Sequence, residues 1–442
     1  MSLDIYKKIY LEDGSLLSTY TNNLYTTDEF QINGTYVPRE EFTKIIRSPM
    51  MRRYTKVYLL HPDETINKDI TEYVSSAGSI EKNDQEGQRR SSSLTFINPL
   101  VYKIISNEYE NYGKRSTELT SLWNPMSFND DFHTNVKLKL VSCVDFFDHH
   151  YEIEEGIFVT FDPKLSENGA NQTLSVQLYD KFALLDGTID GKNELDYEIP
   201  VGTPIYEAMR QLLKLPKNNR GEPFDVKEII FPAKYKQELL AYTIKKTSEN
   251  AIGDLIKEMA QSIACNVGYN NYGNLVIADV LADMDYHNRS VSWNYEDNSN
   301  EYQNPSLDIK RSQIKNRVIV VGANINGYLC KGIAENTNPN SLYNINGDFG
   351  VKSVKITDNL IPSNKMCEER AKYELKKYTQ NYISISFQSV WIPFLEPGDI
   401  VRWSKKEWGI DNKEFVINSI SLPLNGKDPM SISITNLDEI SR

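Results

Sequence analysis

The chain has 442 residues, about three times the ~150 residues of a common domain, which excludes one small module and predicts two to four domains. Apolar residues make up 40% and charged residues 25%, a composition that excludes wholesale disorder and fibrous repeats. With 61 acidic against 49 basic residues, the formal charge is −12 at pH 7, which argues against a protein that grips a phosphate backbone across a broad basic face.

In chain order, residues 1–50 are polar and rich in Thr, Tyr and Asn, and they are assigned to an N-terminal arm or extension. Short turn-bounded strands follow: Lys56-Val57-Tyr58-Leu59-Leu60, then Ser93-Leu94-Thr95-Phe96-Ile97. Val136, Leu138 and Leu140 alternate with Lys137 and Lys139, the period of a strand with one buried face and its lysines turned outwards. Gly156 to Phe161 and Leu174 to Leu178, separated by Asn168-Gly169, continue the series. Strands joined by turns without helices between them predict a first β-barrel-like domain over 51–194.

Residues 195–304 change character. Thr203 as N-cap and Pro204 at the first helical position open a helix striped by Ile205, Met209, Leu212 and Leu213. A second helix, capped by Ser248, carries Ile252, Leu255, Ile256, Met259, Ala260 and Ile263 at helical spacing. A hairpin from Cys265 to Val280 turns through Asn270-Asn271-Tyr272-Gly273. These elements make an α+β middle domain. From 305 to 442 strands resume with Arg317 to Gly322, interrupted by one helix from Ser363 to about Tyr378 with Cys367, Ala371, Leu375 and Tyr378 on one face. The predicted fold class is therefore a β-rich, multidomain α+β protein, two antiparallel β-barrel-like domains flanking a mixed α+β middle domain.

Chemistry is sparse. Cys143, Cys265, Cys330 and Cys367 lie far apart and read as buried thiols, not as a disulfide framework. No N-terminal apolar stretch and no run of ~20 apolar residues is present, so a soluble chain made in the cytosol is expected, without stable membrane association. Asp148-His149-His150 offers metal-type ligands, and a metal-dependent hydrolase using these three residues is one alternative. Only His61, His133 and His287 stand beside them, and a polar loop between two strands explains the tripeptide better. No nucleophile elbow, P-loop or dinucleotide fingerprint occurs, so no enzyme and no cofactor is predicted. A second alternative is a carbohydrate-binding host-recognition module that stacks sugars on Trp391, Trp403 and Trp408, against which stands their use as core aromatics.

Three stretches then align into a pattern. The first runs from Glu155-Gly156-Ile157-Phe158-Val159 through Asp180-Lys181-Phe182-Ala183-Leu184-Leu185-Asp186-Gly187 to Tyr197-Glu198-Ile199-Pro200-Val201-Gly202-Thr203. The second is the helix with Arg370-Ala371-Lys372-Tyr373-Glu374-Leu375, followed by Leu395-Glu396-Pro397-Gly398-Asp399-Ile400-Val401. The third is Val416-Ile417-Asn418-Ser419-Ile420. In content and order, over about residues 50–440, these resemble the baseplate hub proteins of tailed bacteriophages, including tail-associated hub proteins of long-tailed phages and the hubs of contractile tails and bacteriocins.

The resemblance implies a structural virion protein at the distal end of the tail tube. It implies a homotrimeric ring in which three chains present six similar barrels to a six-fold tube. Implied partners are the distal tail or tail tube protein, the tape-measure protein, and spike, tail-tip or fibre proteins, with DNA only in transit through the pore during genome ejection. Under that reading the charge of −12 predicts an acidic pore wall, which would repel phosphates during passage.

Overall fold

The computed structural model describes residues 29–32, 35–38, 44–48, 51–84, 87–97, 101–104, 117–120, 136–146, 149–168, 171–192, 196–217, 221–279, 290–297, 299–325, 327–359, 361–380 and 383–437. Strands β1 (Glu29–Ile32) and β2 (Thr35–Pro38) form an antiparallel hairpin. A helical turn at 44–47 then buries Ile45 and Ile46 in the core of the main sheet, so this part of the predicted arm is packed. β3 (Arg52–Leu60), β4 (Ile66–Asp69), β5 (Val74–Ala77), β6 (Ser79–Asn83) and β7 (Arg90–Ile97) follow. β8 (Val101–Ile104) and β9 (Thr117–Thr120) pair with each other, and β10 (Lys137–Phe146), β11 (His149–Asn168) and β12 (Asn171–Asp180) form a meander.

Period-two burial builds these strands. In β7, Leu94 and Phe96 are buried while Thr95 between them is not, and in β10 Leu138 and Leu140 enter the core. Lys137 departs from the sequence expectation. It is buried, because its ammonium meets Glu64 at 2.8 Å; only Lys139 keeps the half-exposed place that alternation predicts.

The middle unit contains β13 (Tyr197–Ile199) paired with β14 (Ile244–Lys246), helices α1 (Ile205–Lys214) and α2 (Ile252–Ser262), and the hairpin of β15 (Cys265–Tyr269) and β16 (Leu275–Asp279). The apolar stripes of both helices meet in one cluster with Phe182, Ile199, Val267 and Ile277. The helix starts differ from those expected. Pro204 is the N-cap of α1 and Ala251 that of α2, neither with a side-chain cap bond. Thr203 instead donates its hydroxyl to the Pro200 carbonyl, and the chain between Ser248 and α2 forms a turn.

The C-terminal part holds β17 (Val291–Tyr295), β18 (Tyr302–Ile309), β19 (Arg317–Ile325), β20 (Tyr328–Glu335), β21 (Ser353–Thr357), helix α3 (Asn364–Gln380), β22 (Ile383–Ser389), β23 (Ile400–Lys405), β24 (Ile410–Pro423) and β25 (Met430–Asn436). β19, β20 and β21 form a separate three-stranded sheet. α3 packs on it through Cys367 and Ala371, the face expected from sequence. Contact there is close: a Cβ on Gly332 would lie 2.2 Å from the Glu368 nitrogen and 2.3 Å from the Cys367 carbonyl carbon. Gly332→Ala therefore forces helix and sheet apart, and thermal unfolding is expected to show a loss of ~1–3 kcal/mol, the usual cost of overpacking.

The remaining strands build one fourteen-stranded sheet in the order β18-β22-β25-β24-β6-β7-β12-β11-β10-β3-β4, with β17 and β23 branching at β24 and β5 at β7. It is β-rich and largely antiparallel, as expected, but among the described residues no barrel closes. The reason lies at β6. After pairing Glu81 with Ser91 and Lys82 with Arg90 of β7, its other edge bonds β24, from Asn83 opposite Ser419 to Ser79 opposite Pro423. The two β regions thereby share one ladder and one apolar cluster, which runs from Val57 and Phe158 to Trp403 and Ile434. Among the described residues, no helix is long and apolar enough to cross a membrane.

Candidate functional site

The stretches at Glu155, Asp180 and Glu396 converge where the main sheet meets the middle unit. β6 turns Lys82 inward beside its buried neighbour Ile80. Its Nζ lies 2.6 Å from Glu155 Oε2 and 2.7 Å from Glu396 Oε1, with only 1% of the Lys82 side chain exposed and none of Glu155. Arg90, opposite Lys82 in β7, places Nη2 2.8 Å from Glu396 Oε2 and donates Nη1 to the Tyr269 carbonyl. Glu396 is held by the turn it begins, where the Asp399 carboxylate accepts its backbone N–H at 2.7 Å.

A second buried cluster adjoins the first. Asp180 ends β12 and caps the short 3-10 helix Lys181–Leu184, accepting from the Phe182 N–H with one carboxylate oxygen and from Arg89 and Arg90 N–H with the other. Lys181 Nζ meets Glu64 Oε1 at 2.6 Å and Asp225 Oδ1 at 2.7 Å and donates to the Gly273 carbonyl. Tyr269 donates its hydroxyl to Asp225 Oδ2 at 2.5 Å. At Gly273 (φ 77°) a Cβ would stand 2.7 Å from the Ile157 side chain, so a residue without one lets the β15–β16 turn sit against β11.

Electrostatics follow burial. Desolvation pushes the Glu155 carboxyl upward, opposed by Lys82. Desolvation of Lys82 is outweighed by Glu155 and Glu396, which hold its ammonium charged. Burial would also raise Glu64, but Lys181 and Lys137 bring it below its ordinary value. Desolvation followed by the Asp225 carboxylate holds the Tyr269 hydroxyl well above its own. The arrangement clamps β3–β4, β6–β7, β11–β12, the middle unit and the C-terminal turn together. A cleft opens beside the clamp, lined by Lys82, Arg89, Arg90, Asn270, Tyr272 and Glu396 among others.

Asp180 supplies a pH test. Desolvation raises its pKa to about 6 from the ordinary 3.8, against the backbone N–H groups that favour the anion. Between these values the folded chain binds more protons at this site than the unfolded chain, so its contribution to stability falls as pH rises through this window. In urea titrations from pH 4 to 7, Asp180→Asn is expected to lose that component of the slope while being less stable throughout, because an amide nitrogen faces backbone donors.

The residues singled out in the sequence fare differently. Asp148 lies outside the described residues, as do His133 and His287. His149 and His150 belong to β11 and not to a loop, with His150 paired opposite Asp145; the side chain of His149 is outside the described residues. Of the three, His150 is the one whose side chain lies among the described residues. Trp391 and Trp403 are buried at 1% and 0% exposure in the main core, and Trp408, 37% exposed, packs on Trp403. The core reading of the first two is the one the structure takes, and no tryptophan platform for sugars is assembled from the three. All four cysteines are buried and none forms a disulfide.

No protein-family model matches the chain, and no curated protein matches it in sequence. Among solved structures, it is similar to the 43 kDa tail protein of prophage MuSo2 from Shewanella oneidensis, with a TM-score of 0.51 and 12% identity over 87% of this chain and 99% of that one. It is likewise similar to the tail protein from Neisseria meningitidis MC58, with a TM-score of 0.52 and 10% identity over 87% of this chain and 96% of that one. At these identities the likeness is one of fold: this chain has the fold of the two tail proteins, across nearly their whole lengths.

Proposed function

We propose that this protein is a non-enzymatic structural component of a phage-type virion tail, the baseplate hub at the distal end of the tail tube. The carrying observation is that the hub-like stretches at Glu155, Asp180 and Glu396 meet in one buried ionic clamp within a fold shared with two tail proteins. A component that transmits load between tube and spike must be rigid across its lobes, and one ladder plus matched buried charges supplies that rigidity. In this reading the chain divides into an arm (1–50), a first hub domain (51–194), a middle domain (195–304) and a second hub domain (305–442). Three copies form a ring around a central pore. Tube and tape-measure proteins sit on one side, spike or fibre proteins on the other, and DNA passes an acidic wall.

Mass measurement with negative-stain imaging tests the proposal. A trimer with a central pore is expected; a monomer under all conditions, with no ring, overturns it. A basic lumen in the assembled ring would remove the acidic-wall component alone.

A further inference from the structure

Away from the clamp, the outer face of β10 and β11 gathers a second set of polar side chains. Cys143 pairs opposite Glu152 and Asp145 opposite His150. Val144 and Tyr151, the residues between them, point into the main core. Side chains alternate along a strand, so Cys143, Asp145, His150 and Glu152 form a two-by-two square on the other face. The donor atoms of Cys143, His150 and Glu152 all lie within 4.8 Å of one another. His150 Nδ1 is 2.5 Å from Asp145 Oδ1, and Nε2 is 3.0 Å from Glu152 Oε1. An Asp145 carboxylate that accepts a hydrogen bond from Nδ1–H leaves the Nε2 lone pair directed toward Glu152, the orientation that a carboxylate imposes on a metal-bound imidazole.

We propose that Cys143 Sγ, His150 Nε2 and the Glu152 carboxylate form a Zn2+ site, with Asp145 as the positioning residue for His150. A thiolate, an imidazole and a carboxylate suit Zn2+ among common divalent ions. The fourth position falls to water, since the His150 side chain is 39% exposed. Lys56 Nζ now lies 2.5 Å from Glu152 Oε1; it is partly exposed and turns to solvent when the ion takes its place. On binding, the Cys143 S–H proton and any proton on Nε2 pass to solvent, a Zn–S bond forms, and nothing is oxidised or reduced. The two charges of the ion are met by the Cys143 thiolate and Glu152. Such an ion would staple β10 to β11 beside their connection. The proposal does not rest on the hub reading.

The full chain, stripped with chelator, is titrated with Co2+ and then Zn2+. One equivalent of Co2+ is expected to bind with a near-ultraviolet thiolate-to-cobalt charge-transfer band, and Zn2+ is expected to bleach it. Cys143→Ser should abolish the band, and Asp145→Asn should weaken binding ~10–100-fold, the usual effect of losing such a partner. His61→Ala should change nothing. Absence of stoichiometric uptake by the folded chain, or a band that persists in Cys143→Ser, overturns the site. If Cys143→Ser does not fold, Glu152→Gln decides: undiminished affinity overturns the site, and a loss of tenfold or more supports it.

Discussion

Replacing Lys82 by methionine is expected to lower the free energy of unfolding by ~3–5 kcal/mol, the range for removing one partner from a buried ion pair. Methionine keeps most of the volume and the apolar stem, so little of this loss comes from a cavity. It comes from Glu155, whose side chain is wholly buried against the Lys82 ammonium, and from Glu396, which loses its ion pair to Lys82 while keeping that to Arg90. Urea unfolding of the variant reads the loss directly. Adding Glu155→Gln should restore a large part of it, because the buried negative charge is then gone as well. A loss below ~1 kcal/mol, in the range of surface pairs, would mean that the clamp is hydrated and contributes little.

Trp403→Ala is expected to cost a similar ~3–5 kcal/mol, for a different reason. The indole stacks on Phe387 at 23° between ring planes and lies within 6.4 Å of Tyr302, Trp408 and Phe415, centroid to centroid. Those rings belong to β18, β22 and β24 and the turn after β23, so the void would open where four segments meet. Trp408, partly exposed on the same ring, is expected to tolerate alanine with a much smaller loss. Comparing the two by thermal unfolding separates core from rim; equal losses would refute the packing account.

Much of the architecture was legible because burial leaves a period in the sequence. Alternation located β10, and the stripe Cys367-Ala371-Leu375-Tyr378 located the face of α3 that packs on β19 and β20. The helix starts differ from the expected caps because Thr203 bonds back to the Pro200 carbonyl and Thr247, beside Ser248, holds a local turn with its hydroxyl, chemistry that resembles that of a cap. The clamp was not legible as a clamp. Asp180, Glu155 and Glu396 stand within the recognisable stretches, but no local pattern marks Lys82, and its partner Glu396 stands 314 positions away. Nothing local distinguishes a lysine that will be buried from one that will be wet. The same limit hid Cys143 and Glu152 behind the adjacent His149 and His150. Cross-strand neighbours are set by register, and register is not written in adjacency.

The ladder between β6 and β24 also governs how the chain must come together in time. On the edge turned away from β7, residues 79–83 find their partners at 419–423, and the Ser421 hydroxyl reaches Glu81 across 340 positions. Until ribosomal synthesis has passed that far point, β6 offers an unsatisfied edge on which another nascent chain can pair. Closing so distant a contact is slow, so completion of the sheet is a late event in folding. A chain released before residue 419 keeps the N-terminal strands but lacks the partner that seals them, and it is the species most prone to aggregate.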